Sequence, residues 1–198
     1  NPKELMQNHE TKNVCLAEND YQNREVARLH LIDLDNLHRT PNPSNRAIDH
    51  VRKQYEVIGF GQADLIYAAC NHAPRKRACE EHRRTYHLRA TWPKATFRLG
   101  QGVDGADLHL LEDAETFFNQ PNQRFNEVIL GTGDHIFAPT AKKFKENGLI
   151  VHAVVATEKS LARKLRQEIN GCIWNLTAGR CMTCQPYSTK NTVYRQYV

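Results

Sequence analysis

The sequence lacks the features that would place it in a membrane or secreted class. No apolar run approaches the roughly 20 residues that a membrane-spanning helix needs. The first residues, Asn1, Pro2 and Lys3, are polar, and the apolar stretch of a secretory signal is missing. Six unevenly spaced cysteines in 198 residues do not make a disulfide framework. These absences predict a cytoplasmic protein with reduced thiols and no membrane partner.

What the chain does contain is typical of a single folded domain. Its 198 residues, 40% of them hydrophobic and 25% charged, suffice to bury a core without disulfides or a structural metal. Residues 1–27 have few apolar side chains and no periodicity. We therefore predict a polar arm over residues 1–27, one domain over 28–176 and a C-terminal tail over 177–198.

Apolar runs of strand length alternate with stretches of helical periodicity along this domain. Such alternation predicts parallel strands joined by right-handed crossovers. The expected fold class is α/β, a three-layer α/β/α sandwich with a mostly parallel central sheet of about five strands. The predicted strands cover residues 26–34, 63–70, 96–99, 127–131 and 149–155, and the predicted helices cover 46–55, 75–87, 105–118, 137–147 and 160–168.

Carboxylates occur where these elements begin or end. Asp33, Asp35 and Asp134 fall at the carboxyl ends of predicted strands, and Asp107 lies in the first turn of a predicted helix. Ligands of open α/β sheets bind outside the carboxyl ends of the strands, so Asp33, Asp107 and Asp134 are expected to converge on one pocket. Several carboxylate oxygens are what Mg²⁺ or Mn²⁺ needs when it also binds phosphate. Each Asp alone has another explanation, as a helix cap or a favourable charge at a helix start.

The motifs around these residues resemble the NYN domains, a branch of the PIN-like nuclease superfamily, over about residues 29–176. That family's first strand ends in Asp, two other residues and Asn, matched here by Asp33 to Asn36. Its second motif is Gly-x-Asp at a helix start with another Asp six residues on, matched by Gly105 to Asp113. Its third motif is a small residue, Gly, Asp, any residue, Asp, Phe, any residue and Pro, and residues 132–139 match it except at Ile136.

The resemblance implies a metal-dependent ribonuclease that cleaves single-stranded or structured RNA through a carboxylate-bound Mg²⁺ or Mn²⁺ ion. It gives Asp33, Asp107 and Asp134 the role of metal ligands and catalytic residues. It gives Asn36 the role of positioning a phosphate or a ligating water.

Ile136 is the one departure from these motifs, and it removes a carboxylate. Asp35 and Asp113 are therefore the further candidates for metal ligands. The departure leaves two alternatives open, a catalytically weakened RNA-binding or scaffold module of the same fold and a DNA-directed nuclease of the PIN-like group. A homo-oligomer and an additional targeting domain are open as well.

Positive charge is concentrated in one segment of the chain. Between residues 71 and 98 there are eight Lys or Arg against Glu80 and Glu81, with Tyr86, Trp92 and Phe97 interleaved. This pattern predicts contacts to a phosphate backbone and stacking on bases, although a solvated helix face explains the charge equally well. The candidates for nucleic-acid binding are Arg75, Lys76, Arg77, Arg83, Arg84, Lys142, Lys143 and Ser160. For the last three, an exposed helix face or a helix N-cap is the alternative.

Two other motifs are less specific. Gly100 to Gly105 matches a dinucleotide-binding pattern, but it follows the third predicted strand rather than the first, so a tight turn is the better interpretation. Cys181 and Cys184 have half the spacing of a zinc site, which Cys172 and His152 would complete. Adjacent thiols in the C-terminal tail are the better explanation of that pair.

Overall fold

The computed structural model describes residues 27–73, 77–118 and 125–183. Its strands are β1 (Ala27–Asp33), β2 (Leu65–Asn71), β3 (Thr96–Gly100), β4 (Phe125–Gly131), β5 (Ile150–Val155), β6 (Ile173–Asn175) and β7 (Arg180–Cys181). Its α-helices are α1 (Leu34–His38), α2 (Asn45–Tyr55), α3 (Ala78–Thr91), α4 (Gly105–Phe118), α5 (Ala138–Glu146) and α6 (Arg163–Arg166). Two 3₁₀ turns, His135–Phe137 and Glu158–Ser160, precede α5 and α6.

All seven strands belong to one sheet with the order β3-β2-β1-β4-β5-β6-β7. Every neighbouring pair is parallel except β6 and β7, which are antiparallel. The chain runs outward from β1 to β3 and then returns to the other side of β1 to form β4. The topological switch point, where α/β sheets bind their ligands, is therefore the crevice between the carboxyl ends of β1 and β4.

Helices cover both faces of the sheet. Side chains from α1, α2 and α3, including Leu34, Ile48 and Leu88, pack on one face of the sheet. Leu110 of α4 and Phe144 of α5 belong to the cluster on the opposite face, to which α6 also contributes. The expected three-layer sandwich with a mostly parallel sheet is confirmed.

The structure differs from the sequence-based prediction mainly in its shortest elements. The sheet has seven strands rather than about five, because β6 and β7 have three and two residues, too few to show an apolar pattern. β7 lies in the range predicted as a tail. The helix predicted over 160–168 is wrong, since a 3₁₀ turn and the four-residue α6 occupy that region. The predicted arm lies outside the described residues apart from Ala27.

Among the helices in the described ranges, none combines the length and the apolar character that crossing a bilayer would require.

Candidate active site

Two buried aspartates interact electrostatically at the carboxyl end of β1. Asp33 is the last residue of β1 and Asp107 lies in the first turn of α4, and their side chains are 5% and 8% exposed. Burial raises the pKa of the Asp33 carboxyl well above its usual range, and the negative charge of Asp107 raises it further. Burial also raises the pKa of Asp107, to about 6.

Asp35 and Asp134 add two more carboxylates to this pair. Asp35 Oδ2 accepts a hydrogen bond from the Asn71 backbone N–H at 2.7 Å, and burial raises the pKa of Asp35. Asp134 caps the 3₁₀ turn before α5, where its Oδ1 accepts from the Ile136 N–H at 3.1 Å. The charges of Asp134 and Asp35 both raise the pKa of Asp107. Sequence-distant carboxylates thus act on one another at the switch point of the sheet.

Asp113, the other ligand candidate, lies away from this group. Both of its oxygens accept hydrogen bonds from the Arg98 guanidinium, at 2.7 and 3.2 Å. Six residues are well short of two full helical turns, so Asp113 and Asp107 point in different directions from α4. The structure therefore gives Asp113 a role in joining α4 to β3. Asp104, which the sequence reading missed, contributes instead, because its charge also raises the pKa of Asp107.

The loop after β4 is held to β1 by Thr132 and Asn36. The buried Thr132 hydroxyl donates to Asp33 Oδ2 at 3.3 Å and accepts from the Asp134 N–H at 3.2 Å. Asn36 Oδ1 accepts from the Gly133 N–H at 3.0 Å, and its own N–H donates to Asp33 Oδ1 at 3.1 Å. Asn36 Oδ1 therefore positions the loop that carries Asp134, where the sequence suggested a contact to phosphate or water. Thr132 appeared in the sequence only as the small residue of the third motif.

Asn71 has the corresponding role for Asp107. It ends β2, and its Oδ1 accepts a hydrogen bond from the Ala106 N–H at 3.0 Å, inside the first turn of α4. Gly100 makes this approach possible, since a Cβ there would lie 2.7 Å from Asn71 Oδ1 and would overlap the backbone of Gly105. Sequence reasoning missed Asn71, although a polar residue ending a buried strand was a usable signal.

If the carboxylates at the switch point cleave RNA, as the NYN resemblance implies, Asn71→Ala should lower the rate of RNA cleavage by about tenfold or more. The reason is that α4 would lose the contact that positions Asp107, and small displacements of catalytic groups are costly. The substitution should also lower the free energy of unfolding by about 1–2 kcal/mol, the cost of leaving a buried N–H without its acceptor. Chemical denaturation and single-turnover cleavage would measure the two effects.

Asn170→Ala is the matched control, because Asn170 Oδ1 accepts from the Val151 N–H at 2.7 Å, at the start of β5. It should cost similar stability and leave cleavage unchanged in the folded protein. Equal losses of cleavage in the two variants would contradict a positioning role for Asn71.

We call Asp33, Asp35, Asp107 and Asp134 the acidic group. Their carboxylate oxygens are the type of ligand that a hard divalent cation prefers. Asp35 Oδ1 and Asp107 Oδ1 are buried and have no hydrogen-bond partner among the described residues. Among the described residues, no three His, Cys, Asp or Glu side chains are arranged so that they could hold a metal ion as they stand. The two carboxylate oxygens without a partner, and the repulsion between the carboxylates, are what a hard divalent cation such as Mg²⁺ or Mn²⁺ would relieve.

His135 and Ile136 follow Asp134 at the edge of the acidic group. His135 Nδ1 lies 2.8 Å from Asp134 Oδ1, and its side chain is largely exposed. Ile136 occupies the position where the NYN motif has a second Asp, and its partly buried side chain packs against the core cluster of α4 and α5. An apolar contact has therefore replaced a carboxylate at this position.

Three of the residues predicted to contact nucleic acid have other partners in the structure. Arg84 is buried and donates both to the Glu81 carboxylate and to the Asn71 carbonyl, because its position on α3 faces the sheet. Lys143 Nζ lies 2.8 Å from Glu115 Oε2 and over the ring of Phe118. The Ser160 hydroxyl is used locally, donating to the Thr157 carbonyl at 2.7 Å.

Other predicted contacts remain accessible. Arg77 and Arg83 are exposed around α3, while Arg75 and Lys76 lie outside the described residues. Lys142 lines a groove of about 560 Å³ between α5 and α6, which begins at His135 and Ile136 beside the acidic group. We call this the α5–α6 groove. Lys164, which the sequence reading missed, lines it as well.

The proposed zinc ligands do not converge in the described part of the chain. His152 Nδ1 accepts from the Cys172 N–H at 2.9 Å, and His152 Nε2 lies 3.7 Å from Glu127 on β4. Cys181 is on β7, at the opposite side of β6 from His152. Cys184 lies outside the described residues.

Comparisons with known proteins agree with this architecture. A crystal structure of VPA0982, a protein of unknown function from Vibrio parahaemolyticus RIMD 2210633, superposes with a TM-score of 0.54. The two chains are 15% identical, and the match covers 82% of this chain and 98% of that one, so the likeness concerns the fold alone. No curated protein matches the chain. The family model of the NYN domain matches residues 30–176, which include every carboxylate of the acidic group. The chain therefore belongs to the NYN domain family, a PIN-like nuclease family.

Proposed function

We propose that this protein is a metal-dependent ribonuclease whose active site is the acidic group at the switch point. The observation that most supports this proposal is the Asp33–Asp107 pair. These two buried carboxyls have raised pKa values and lie beside Asp35 and Asp134. Perturbed pKa values that arise from burial and like charges are typical of functional sites. NYN membership supports phosphodiester cleavage, since the family is a nuclease family.

Asp33, Asp107 and Asp134 would hold the Mg²⁺ or Mn²⁺ ion, with Asp35 as a further candidate. When bound, such a cation lowers the pKa of a bound water and stabilises charge developing on the phosphate. The chain's own residues keep this site in place, since Thr132 and Asn36 fix Asp33 and the loop of Asp134. Asn71 fixes the helix start that carries Asp107.

Positive side chains beside the site support a nucleic acid as the substrate. Lys142 and Lys164 line the α5–α6 groove, which starts at the residue following Asp134. Arg77 and Arg83 are exposed around α3, on the other side of β1. A polyanion that crosses the carboxyl ends of the strands would meet cations on both sides of the acidic group. We propose RNA rather than DNA as the substrate.

The proposal is tested with end-labelled single-stranded RNA and a DNA strand of the same sequence. We expect cleavage of the RNA with Mg²⁺ or Mn²⁺, and no cleavage in EDTA. Asp134→Ala should lower the rate by about 100-fold or more, since it removes a proposed ligand. Asp49→Ala, at an exposed carboxylate of α2, should cleave like the wild type. Undiminished cleavage by Asp134→Ala, or cleavage in EDTA, would rule the site out.

Ile136 favours one second candidate, an RNA-binding module with little or no turnover. Its apolar side chain stands where the family motif has a carboxylate. Tight RNA binding without turnover in both Mg²⁺ and Mn²⁺ would favour this candidate. Preferential cleavage of the DNA strand would instead favour the DNA-directed alternative.

A further inference from the structure

A second groove lies on the other side of the acidic group, between α3 and the edge strand β3. It encloses about 580 Å³ and is lined by one face of α3, by His72 and Ala73 after β2 and by Leu99 of β3. We call it the α3–β3 groove. β3 is the last strand on this side of the sheet, and no other strand of residues 27–73, 77–118 and 125–183 borders the groove beyond it. From Ala78 to Arg89 its helical wall is about 16 Å long, at 1.5 Å per residue.

Tyr86 presents an aromatic ring in this groove. Its side chain is 70% exposed, and it is the one aromatic among the large hydrophobic residues that the described ranges expose. Tyrosine side chains usually bury most of their ring on folding. An exposed ring within a groove is the arrangement on which an unpaired base can stack, whatever its sequence.

The groove also has the charge that a nucleic-acid strand requires. His72, His82 and Arg89 line it, and the Arg89 guanidinium lies over the ring of Phe97 at 5.2 Å, which fixes its position. Glu81 is the one acidic residue in the lining, and the Arg84 guanidinium neutralises it through paired hydrogen bonds. The groove therefore combines the Arg89 guanidinium with the exposed ring of Tyr86.

The α3–β3 groove includes the residue that follows Asn71, which contacts the acidic group. His72 follows Asn71, whose backbone N–H donates to Asp35 and whose side chain holds the start of α4. The α5–α6 groove begins on the opposite side, at His135. A single strand could therefore extend from one groove to the other across Asp33 and Asp107.

We propose that the α3–β3 groove binds the unpaired nucleotides that flank the scissile phosphate, with Tyr86 stacking on a base and Arg89 contacting the backbone. This inference rests on the proposed function, because it takes the RNA strand as the occupant. It predicts a preference for single-stranded over double-stranded substrate, since a paired base cannot stack on the ring.

The test uses a short single-stranded RNA that carries 2-aminopurine, a fluorescent base whose emission falls when it stacks. Titration in EDTA separates binding from cleavage. Tyr86→Leu should lower the affinity by about 5- to 100-fold and abolish the Tyr86-dependent quenching, whereas Tyr86→Phe should keep both. Arg89→Ala should weaken binding and its salt dependence, while Arg180→Ala, at an exposed arginine of β7, should not.

The outcomes separate this inference from the proposed function. If Tyr86→Leu binds and quenches like the wild type, the groove assignment fails, even when Asp134-dependent cleavage of RNA persists. If Tyr86-dependent binding is found but no cleavage occurs with Mg²⁺ or Mn²⁺, the ribonuclease proposal fails and the groove assignment stands. Absence of any RNA binding by the wild type overturns the groove assignment.

Discussion

Asp107→Asn is expected to lower the rate of RNA cleavage by about 1,000-fold or more and to make the protein more stable at neutral pH. The loss follows because a neutral amide cannot replace a carboxylate that binds a divalent cation. The gain follows because burial and the neighbouring charges already disfavour ionised Asp107, whose pKa is raised to about 6. Asparagine keeps the shape and an N–H for Asp33 and removes the repulsion.

The pH dependence of this gain has a definite sign. A carboxyl group with a higher pKa in the folded than in the unfolded protein favours folding below its unfolded pKa, about 4, and this contribution is lost as pH rises through the folded pKa. The difference in unfolding free energy between Asp107→Asn and the wild type should therefore be small at pH 4. It should grow to about 1–2 kcal/mol by pH 7, without added metal.

Urea denaturation in EDTA across pH 4 to 8 measures this difference directly. Asp49→Asn is the control, since Asp49 is exposed and its ion pair with His87 at 2.8 Å should matter little. Added Mg²⁺ or Mn²⁺ should stabilise the wild type more than Asp107→Asn, because a ligand that binds the folded state shifts the equilibrium towards it. A variant less stable than the wild type at pH 7 would contradict the picture of repelling carboxylates.

Gly133→Ala is expected to have the largest effect on stability, about 3 kcal/mol or more, together with loss of cleavage. A Cβ at Gly133 would overlap the Ser160 carbonyl oxygen and would lie 2.7 Å from its carbon. The backbone cannot shift to make room without losing its own contacts. The Gly133 N–H donates to Asn36 Oδ1 at 3.0 Å, and its carbonyl accepts from the Ala162 N–H at 2.8 Å.

Gly148→Ala provides the matched control for this variant. Gly148 follows α5 with a φ of 82°, and no atom lies within 4 Å of its virtual Cβ. That change should cost about 1 kcal/mol from backbone strain and leave cleavage intact. Thermal unfolding measures the stability of both variants, and a cleavage assay measures their rates on RNA. If Gly133→Ala proved as mild as Gly148→Ala, the close contact with Ser160 would not be needed for the site.

The sequence predicted those parts of the molecule that follow from regular patterns. Apolar runs located the five long strands, and their alternation with helices predicted the layers. The motifs brought out Asp33, Asp107 and Asp134, because strand ends and helix starts can be identified locally. Cytoplasmic location and the oligomeric state stay predictions.

The rest depends on contacts between residues distant in sequence. Arg84 resembled a surface cation, and only the packing of α3 shows that it faces Glu81 and the end of β2. Asp113 matched a motif, but its direction on α4 is determined by Arg98 of β3. Thr132 matched the third motif only as a small residue, and Asn71 was recognisable only as a polar residue at the end of a buried strand. Their hydrogen bonds arise where two elements meet, which the local sequence does not show.

The strand order also has a consequence for how the protein acquires its site. β1 pairs with β2, and β2 with β3, within one continuous stretch of chain. Asp33 and Thr132, which meet across the β1–β4 pair, are 99 residues apart. Closing so long a loop costs chain entropy before any contact compensates for it. A folding intermediate that contained only β1, β2 and β3 would lack Asp134, the Thr132 bond and the α5–α6 groove. The acidic site therefore forms only when the two halves of the sheet join, and a half-folded chain would not contain it.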